Sequence, residues 1–233
     1  MDVVALVPAA GRGERLGFGM PKALVPVLGE PLLLHAVRGL LDSGWVNHVV
    51  VAAPSGAVED VDAALGSTGA SVHVVPGGAQ RTDSVRRALT ESGRVAPEAD
   101  VVLVHDAARA FTPASVIRAV VRAVRSGADA VVPVLPVADT VKQVDPEGRV
   151  TTTVDRSRLR TVQTPQGFTP ETLRAAYAAA GDAATDDAGL VERIGRQVDT
   201  VPGHSHALKI TTAFDLAIAE SVLAASVPES EHS

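Results

Sequence analysis

Short apolar runs alternate with segments of helical periodicity along most of the chain. The apolar runs predict β-strands at Val3–Val7, His48–Ala53, Ser71–Val75, Val101–Val104, Ala130–Val134 and, less regularly, Thr161–Gln163. Apolar residues recur every three or four positions, as in a half-buried helix, in Pro31–Leu41, Ala57–Leu65, Thr82–Glu91, Ala114–Arg125 and Glu171–Ala179. Strands that alternate with helices predict an α/β fold with a mostly parallel sheet flanked by helices.

The segment at about 137–160 interrupts this alternation. Threonine and valine alternate there around a turn signal at Asp145-Pro146-Glu147-Gly148, which predicts a protruding β-hairpin arm. Two interpretations of this hairpin stay open: an arm that covers its edges against a second subunit, which would make a homodimer, or an ordinary surface hairpin. A last helix is expected from Thr212, with Asp215 as its capping-box partner. We therefore expect one Rossmann-like domain over residues 1–226 and a flexible tail at 227–233.

Composition removes several classes of protein. With 46% apolar residues and a mean hydropathy of +0.20, the chain can bury a substantial core, so intrinsic disorder is excluded. Because cysteine is absent, disulfides, thiolate metal sites and a cysteine nucleophile are excluded as well. No apolar stretch approaches the roughly 18 residues of a membrane span, and the start lacks the basic residues of a signal peptide. We expect a cytoplasmic protein that does not contact membranes.

The charged residues argue against nucleic acid as a partner. The net charge is −6, whereas general nucleic-acid binders neutralise phosphates with an excess of basic residues. Small anions remain possible ligands. Of the 21 basic residues only three are lysines, namely Lys22, Lys142 and Lys209. Coding bias explains the excess of arginine, but each remaining lysine can mark a position that needs a compact ammonium group.

A glycine-rich segment follows the first predicted strand. Residues 8–17 contain Gly11, Gly13 and Gly17, and such a turn lets backbone N–H groups approach phosphate oxygens. The third glycine comes one residue too late for a dinucleotide-binding fingerprint, and no Gly-Lys pair exists for a Walker loop. These two classes are disfavoured. The remaining hypothesis is a polyphosphate surrounded by the basic residues of this segment, Arg12, Arg15 and Lys22.

The same segment, Val7-Pro8-Ala9-Ala10-Gly11-x-Gly13-x-Arg15-Leu16-Gly17 with Pro21-Lys22, resembles the signature of sugar-phosphate nucleotidylyltransferases. Further segments between Val4 and Glu220 resemble, in order, those of the 2-C-methyl-D-erythritol 4-phosphate cytidylyltransferase family: Val75-Pro76-Gly77-Gly78-x-x-Arg81-x-Asp83-Ser84-Val85, Val104–Arg109, Asp139–Lys142, Thr153–Arg156, Gln163–Gln166, Thr185–Ala188 and Lys209–Thr212. The resemblance implies transfer of a cytidylyl group from CTP to methylerythritol phosphate, with release of pyrophosphate, in the non-mevalonate isoprenoid pathway.

The resemblance also implies roles for individual residues. Those expected to act in catalysis are Arg15, Lys22, Arg156 and Lys209. Those expected to bind CTP are Ala9, Ala10, Gly11, Gly78, Asp83, Ser84, Asp106 and Ala107. Those expected to bind methylerythritol phosphate are Asp106, Arg109, Thr140, Arg156, Thr164 and Lys209. Mg²⁺ is the expected cofactor, carried mainly by the CTP phosphates and contacted by Asp106.

Several of these residues have a second interpretation. Asp83 either lies beside the base or only starts a helix, and Ser84 is expected to cap that helix. His105 is expected to be structural, because a substrate phosphate that is already ionised needs no general base. Arg109 and Thr140 are candidates to complete the site of a neighbouring subunit.

Two alternative functions stay open. Ribitol-5-phosphate cytidylyltransferases share the nucleotide loops, and the pair Ala107-Ala108 favours the methylerythritol enzymes only weakly. A regulatory nucleotide-binding protein is disfavoured because Arg15, Lys22, Arg156 and Lys209 are all present. The chain departs from the family pattern at Ala110, where proline is usual, and at Ala207, where asparagine is usual.

Overall fold

The computed structural model describes residues 1–11, 19–68, 71–179 and 186–226. The predicted tail at 227–233 lies outside these ranges. Among the described residues, no helix is both long and apolar enough to cross a membrane.

The described strands follow the sequence order β1 (Asp2–Pro8), β2 (Pro26–Val27), β3 (Glu30–Pro31), β4 (His48–Ala53), β5 (Val72–Pro76), β6 (Ala99–Val104), β7 (Ala130–Pro136), β8 (Val141–Val144), β9 (Val150–Val154), β10 (Arg160–Val162), β11 (Gln166–Phe168) and β12 (Asp199–Pro202). The described α-helices are α1 (Leu32–Asp42), α2 (Val58–Leu65), α3 (Arg81–Val95), α4 (Ala114–Arg125), α5 (Pro170–Ala179), α6 (Asp187–Arg193) and α7 (Ala213–Ser226).

The parallel half of the central sheet confirms the prediction from the apolar runs. Strands β5, β4, β1 and β6 are neighbours in that order, and all three pairings are parallel. Residues 3–7 of β1 are all buried, because helices cover both faces of the strand. The carboxyl ends of these strands therefore lie together at one edge, which is where ligands bind in α/β sheets.

The other half of the sheet is mixed. Strand β11 was not predicted, yet it lies between β6 and β7 and is antiparallel to both. The strand predicted at Thr161–Gln163 is shifted by one residue toward the N-terminus, as β10. It pairs antiparallel with β7 and forms one edge of the central sheet. Strand β12 was also not predicted and pairs parallel with β7. The sheet is mostly parallel as expected, but β10 and β11 run against that direction.

Helices cover the sheet on both faces. One core contains buried residues of α1, α2 and α4, such as Leu33, Val61 and Ile117. The second core contains residues of α3, α5 and α6, such as Val85 and Leu173. The start of α7 confirms the predicted capping box, because Thr212 N donates to Asp215 Oδ2 (2.8 Å) and Asp215 N donates to Thr212 Oγ1 (3.2 Å).

The predicted hairpin is formed by β8 and β9, which pair with each other and with no other strand that the structure describes. Its turn is closed by a bond from Gly148 N to Asp145 O (3.0 Å), and Gly148 has φ +82°, which glycine adopts without strain. Most residues of both strands are exposed. The hairpin is therefore a separate two-stranded sheet on the surface of the domain.

Candidate active site

A cavity opens at the carboxyl edge of the parallel strands. Three loops supply most of its wall: the one after β1, the one after β5 and the one after β6. Of the residues predicted from the sequence, those that line this cavity are Ala9, Ala10, Gly11, Lys22, Gly78, Ser84, Asp106, Ala107 and Lys209. The fold thus brings together residues that lie up to two hundred positions apart in the sequence.

The loop after β5 reaches the cavity because two glycines allow close backbone approach. A Cβ atom on Gly77 would lie 2.8 Å from Ala10 Cβ and 2.9 Å from Ala53 O. A Cβ atom on Gly78 would lie 2.1 Å from Asp83 Cβ, which is far inside van der Waals contact. Glycine is therefore required at position 77 for the close approach to the β1 loop, and at position 78 for the close approach to the start of α3.

Ser84 joins this loop to α3, in a way that corrects the prediction for this residue. Its Oγ accepts a bond from Gly78 N (3.1 Å) and donates to Gln80 O (3.1 Å). The N-cap of α3 is Gln80, and Ser84 lies inside the first turn. Ser84 therefore fixes the glycine loop instead of capping the helix.

Asp83 has the helix-start role that was one of its two interpretations. Its Oδ2 accepts a bond from Gln80 N (3.3 Å), and its Oδ1 lies 3.1 Å from Arg86 Nη1. The side chain is not part of the cavity wall, whereas Ala79, next to Gly78, is. Asp83 therefore does not line the cavity in which the base is expected to bind.

Asp106 is the centre of a charge cluster at the end of β6. Its Oδ2 lies 2.9 Å from Lys209 Nζ and 4.0 Å from Arg109 Nε, and its Oδ1 lies 3.3 Å from Arg81 Nη2. Burial alone would raise the pKa of Asp106, but the positive charges of Arg81, Lys209 and Arg109 hold it well below its usual range. The carboxylate is therefore ionised at neutral pH.

Thr164 and His105 support Asp106 from behind. Asp106 N donates to Thr164 Oγ1 (3.0 Å), and the same hydroxyl lies 3.0 Å from His105 Nδ1. Burial lowers the pKa of His105 to about 4, so its ring is neutral at physiological pH. Since His105 and Thr164 are both buried, they position the loop, in agreement with the structural role predicted for His105.

Lys22 lines the cavity, whereas Arg109 lies behind its wall. Lys22 begins a short 3-10 turn, Lys22–Leu24, whose first backbone N–H donates to Gly11 O (3.3 Å). Arg109 lies beneath the surface and donates to Ala207 O (2.7 Å) and Val162 O (3.2 Å) of its own chain. Ala207 thus contributes to the site through its carbonyl group, which any residue at this position would provide.

Five predicted residues among those that the structure describes do not line this cavity: Asp83, Arg109, Thr140, Arg156 and Thr164. Arg15 lies outside the described residues. Thr140 precedes the hairpin and Arg156 follows it, and Arg156 donates to the carbonyl oxygen of Ala138. Thr140 and Arg156 are exposed in the single chain, at the base of the hairpin.

One arginine of the cavity wall was not assigned a role from the sequence. Arg81 contacts Asp106 and also forms a two-bond pair with Asp187, with distances of 3.1 and 2.7 Å. Tyr177 donates to the same Asp187 at 2.5 Å. The presence of Arg81 in the Gly-Gly-x-x-Arg segment, residues 77–81, was the available signal, but its partner lies 106 positions away.

Comparisons with known proteins identify the family of this chain. The sequence model of the 2-C-methyl-D-erythritol 4-phosphate cytidylyltransferase family matches residues 3–225. A protein of that name from Saccharopolyspora erythraea is 76% identical over 96% of this chain and 100% of its own length. One from Nocardia farcinica is 57% identical over 95% of this chain and 94% of its own length.

Solved structures lead to the same family. The crystal structure of the enzyme of that name from Thermus thermophilus superposes with a TM-score of 0.78 at 37% identity, covering 95% of this chain and 98% of that one. A 4-diphosphocytidyl-2C-methyl-D-erythritol synthase structure gives a TM-score of 0.80 at 30% identity, over 95% of this chain and 98% of the other. The chain therefore belongs to the 2-C-methyl-D-erythritol 4-phosphate cytidylyltransferase family, and it is a nucleotidyltransferase.

Proposed function

We propose that this enzyme transfers the cytidylyl group of CTP to 2-C-methyl-D-erythritol 4-phosphate by direct attack, without a covalent enzyme intermediate. A phosphate oxygen of the sugar phosphate forms a bond to the α-phosphorus of CTP. The bond from that phosphorus to the bridging oxygen breaks, and pyrophosphate leaves with the electron pair. The observation that carries this proposal is the cavity itself, in which two backbone loops that suit a nucleotide face Lys22 and Lys209.

The chemistry requires positioning and positive charge more than proton transfer. A phosphate monoester has its second pKa near roughly 6, so the nucleophile is mostly dianionic at neutral pH. Two anions must then be brought together, and charge that develops on the α-phosphate must be stabilised. Lys22, next to the β1 loop, suits the triphosphate, and Lys209, which pairs with Asp106, suits the sugar phosphate. Arg15 is proposed to assist Lys22.

Mg²⁺ is proposed as the cofactor. Within the described residues, no group of three or more histidine, cysteine or acidic side chains could form a cage for a metal ion. Asp106 provides a carboxylate in the cavity wall, which fits a hard cation that is held mainly by triphosphate oxygens. When bound, the ion would neutralise phosphate charge and help to orient the triphosphate. Asp106 would then share its oxygens between this ion and the neighbouring basic residues.

We further propose that two copies of the chain form a homodimer through the hairpin, in the cytoplasm. Val144 and Val150 of the hairpin expose 53% and 59% of their surface, and Val162 of the edge strand β10 exposes 40%, which favours coverage by another protein surface. In such a dimer Thr140 and Arg156 would complete the site of the partner, because they do not line the cavity of their own chain.

Mixing two inactive variants tests the shared site. If Arg156 acts in the partner's cavity, Lys22→Ala mixed with Arg156→Ala after dissociation should recover about a quarter of the wild-type activity, since half of the dimers are mixed and hold one intact site. If both residues act in the same chain, the mixture stays inactive.

Pyrophosphate release tests the proposed reaction. Wild-type enzyme incubated with CTP, Mg²⁺ and methylerythritol phosphate should release pyrophosphate, and Lys22→Ala should be strongly impaired. Ribitol 5-phosphate is the matched control substrate. Faster turnover of ribitol 5-phosphate would contradict the assignment of the second substrate, and full activity of Lys22→Ala would contradict the mechanism.

A further inference from the structure

The guanidinium group of Arg81 bridges two carboxylates. Its Nη1 and Nη2 donate to Asp187 Oδ1 and Oδ2 at 3.1 and 2.7 Å, and Nη2 also donates to Asp106 Oδ1 at 3.3 Å. The planar fork of arginine matches a carboxylate with two parallel bonds, which a lysine ammonium group cannot do. Arg81 therefore links the wall of the cavity to a group behind it.

Asp187 holds Arg81 from inside the protein. Asp187 is the first residue of α6 and its side chain is 0% exposed. The hydroxyl of Tyr177, on α5, donates to Asp187 Oδ1 at 2.5 Å. A buried carboxylate is strongly unfavourable once it loses its positive partner, so Arg81 cannot leave Asp187 without a large cost. In this environment the pKa of Tyr177 is raised by burial and by the charge of Asp187.

Lys209 is held much more weakly than Arg81. It contacts Asp106 Oδ2 at 2.9 Å, and its side chain is 45% exposed. Although Asp106 is only 13% exposed, the lysine end of the pair reaches solvent, and a lysine side chain has many rotamers with which to reach another anion. Of these two cations on Asp106, Lys209 is the one that can exchange its partner.

We propose that Asp187 and Tyr177 are positioning residues that lock Arg81 onto Asp106. Arg81 is then the permanent counter-ion of Asp106, and Lys209 is the cation that moves to the phosphate of the second substrate. Because Arg81 stays, Asp106 keeps its charge and its orientation when Lys209 leaves. This inference rests on the proposed function for the identity of that substrate.

Steady-state kinetics separate the positioning role from a direct contact with the nucleotide. For Arg81→Lys and Asp187→Asn we expect kcat/KM for methylerythritol phosphate to fall between about 10- and 100-fold. The dissociation constant of CTP, measured without the second substrate, should stay within about threefold of wild type. Tyr177→Phe, which removes only the hydroxyl, should lower kcat/KM by a smaller factor. This variant replaces Asp187→Asn in the test if Asp187→Asn fails to fold.

The matched control is Arg94→Lys. Arg94 lies on the same helix, α3, and pairs with Glu91 at 2.6 Å, but its side chain is 77% exposed. It should leave all kinetic constants unchanged. Wild-type kinetics in Arg81→Lys would overturn the proposal, because charge alone would then suffice. A weaker CTP affinity with an unchanged KM for methylerythritol phosphate would also overturn it.

Two spectroscopic readouts complete the test. Tyr177 is the single tyrosine of the chain, so ultraviolet titration reports its ionisation without any substrate. In the wild type we expect ionisation well above the ordinary pKa of about 10, and in Asp187→Asn a shift back toward it. An unchanged titration would refute the coupling of Tyr177 to Asp187. Since no substrate is used, this result is independent of whether the proposed reaction is correct.

The three lysines give three signals in protein labelled with ¹³C-lysine. The Lys209 signal, identified from Lys209→Arg, should move when methylerythritol phosphate is added. If it does not move at concentrations that saturate turnover, Lys209 stays on Asp106 and the proposal is wrong. If the wild type shows no turnover at all, the proposed function fails instead.

Discussion

The cavity edge and the hairpin use the same kinds of polar side chains in opposite ways. At the cavity, Arg81 reaches partners 25 and 106 positions away, and one of them, Asp187, is completely buried. At the hairpin, Lys142 donates to Thr153 across two paired strands, where both residues are exposed. Charges removed from water interact strongly, whereas exposed pairs contribute about 0–1 kcal/mol. The comparison indicates that the charged groups of the cavity are partly removed from water and interact strongly, whereas those of the hairpin remain solvated and interact weakly.

This difference has a consequence for the hairpin. Residues such as Thr140 and Arg156 can influence catalysis strongly only if a further surface covers them. Substitutions in the two regions should therefore differ in size, and four of them test this from the largest expected effect to the smallest.

Lys209→Ala is expected to give the largest effect. Removing a cation that stabilises charge in the site should reduce kcat/KM by about 100- to 1,000-fold, which corresponds to about 2.7–4 kcal/mol. The measurement is pyrophosphate release under saturating CTP, with circular dichroism to verify the fold. A loss of less than tenfold would contradict the role proposed for Lys209.

His105→Gln should change how stability depends on pH. The pKa of His105 is lowered to about 4 in the folded state, from an ordinary 6.5. Between these values the unfolded chain binds a proton that the native protein does not, so the free energy of unfolding falls as pH drops through this window. The total change is about 3 kcal/mol.

Urea unfolding at pH 7 and at pH 4.5 measures this effect. The His105→Gln variant should show a flatter dependence than the wild type, because glutamine does not titrate. His206→Gln, a substitution of an exposed histidine, is the control and should keep the wild-type slope. Equal slopes in all three proteins would show that His105 is not the titrating group.

Gly78→Ala tests how tightly the cavity edge is packed. The new Cβ would meet Asp83 Cβ at 2.1 Å, so the loop must shift, at a cost of about 1–3 kcal/mol. CTP affinity should fall because the loop is part of the cavity wall. In Gly66→Ala nothing lies within 4 Å of the new Cβ, so this control should bind CTP normally. Isothermal titration with CTP and thermal unfolding provide the two measurements.

Lys142→Ala should have the smallest effect on stability. Its bond to Thr153 is exposed, so the free energy of unfolding should change by less than about 0.5 kcal/mol. Denaturant unfolding measures this change directly. If activity nevertheless falls more than tenfold, Lys142 must be covered by a second subunit. The hairpin would then hold charges removed from water, as the cavity does.

The loop after β5 shows how far the sequence could predict the site. The glycines and Ser84 were recognised as part of the nucleotide loop, and Gly78 and Ser84 do line the cavity. The role of Ser84 as a cap was wrong, since the actual N-cap is Gln80, four positions earlier. Any of several consecutive polar residues can be the N-cap of a helix. Which of them takes this position depends on where the preceding strand ends and how the loop turns into the helix.

The sequence by itself determined the elements whose signal is local. Apolar runs predicted β1, β4 and β6 because both faces of those strands are largely buried, and they also predicted the half-buried edge strand β5. Thr212 with Asp215 predicted the start of α7 because a capping box spans only four residues. The order of motifs along the chain was sufficient to identify the family.

The tertiary structure alone decided the arrangement of the mixed half of the central sheet, which contains β11, β7, β10 and β12. Strand β11 has only three residues, too few for a period to be read, and it is stabilised by pairing with β6 and β7 on either side. The pair of Arg81 with Asp187 forms because the sheet brings α3 and α6 together, although the two residues are 106 positions apart. Periodicity reports only which face of an element is buried, whereas the partner of a buried charge depends on which elements the fold makes neighbours.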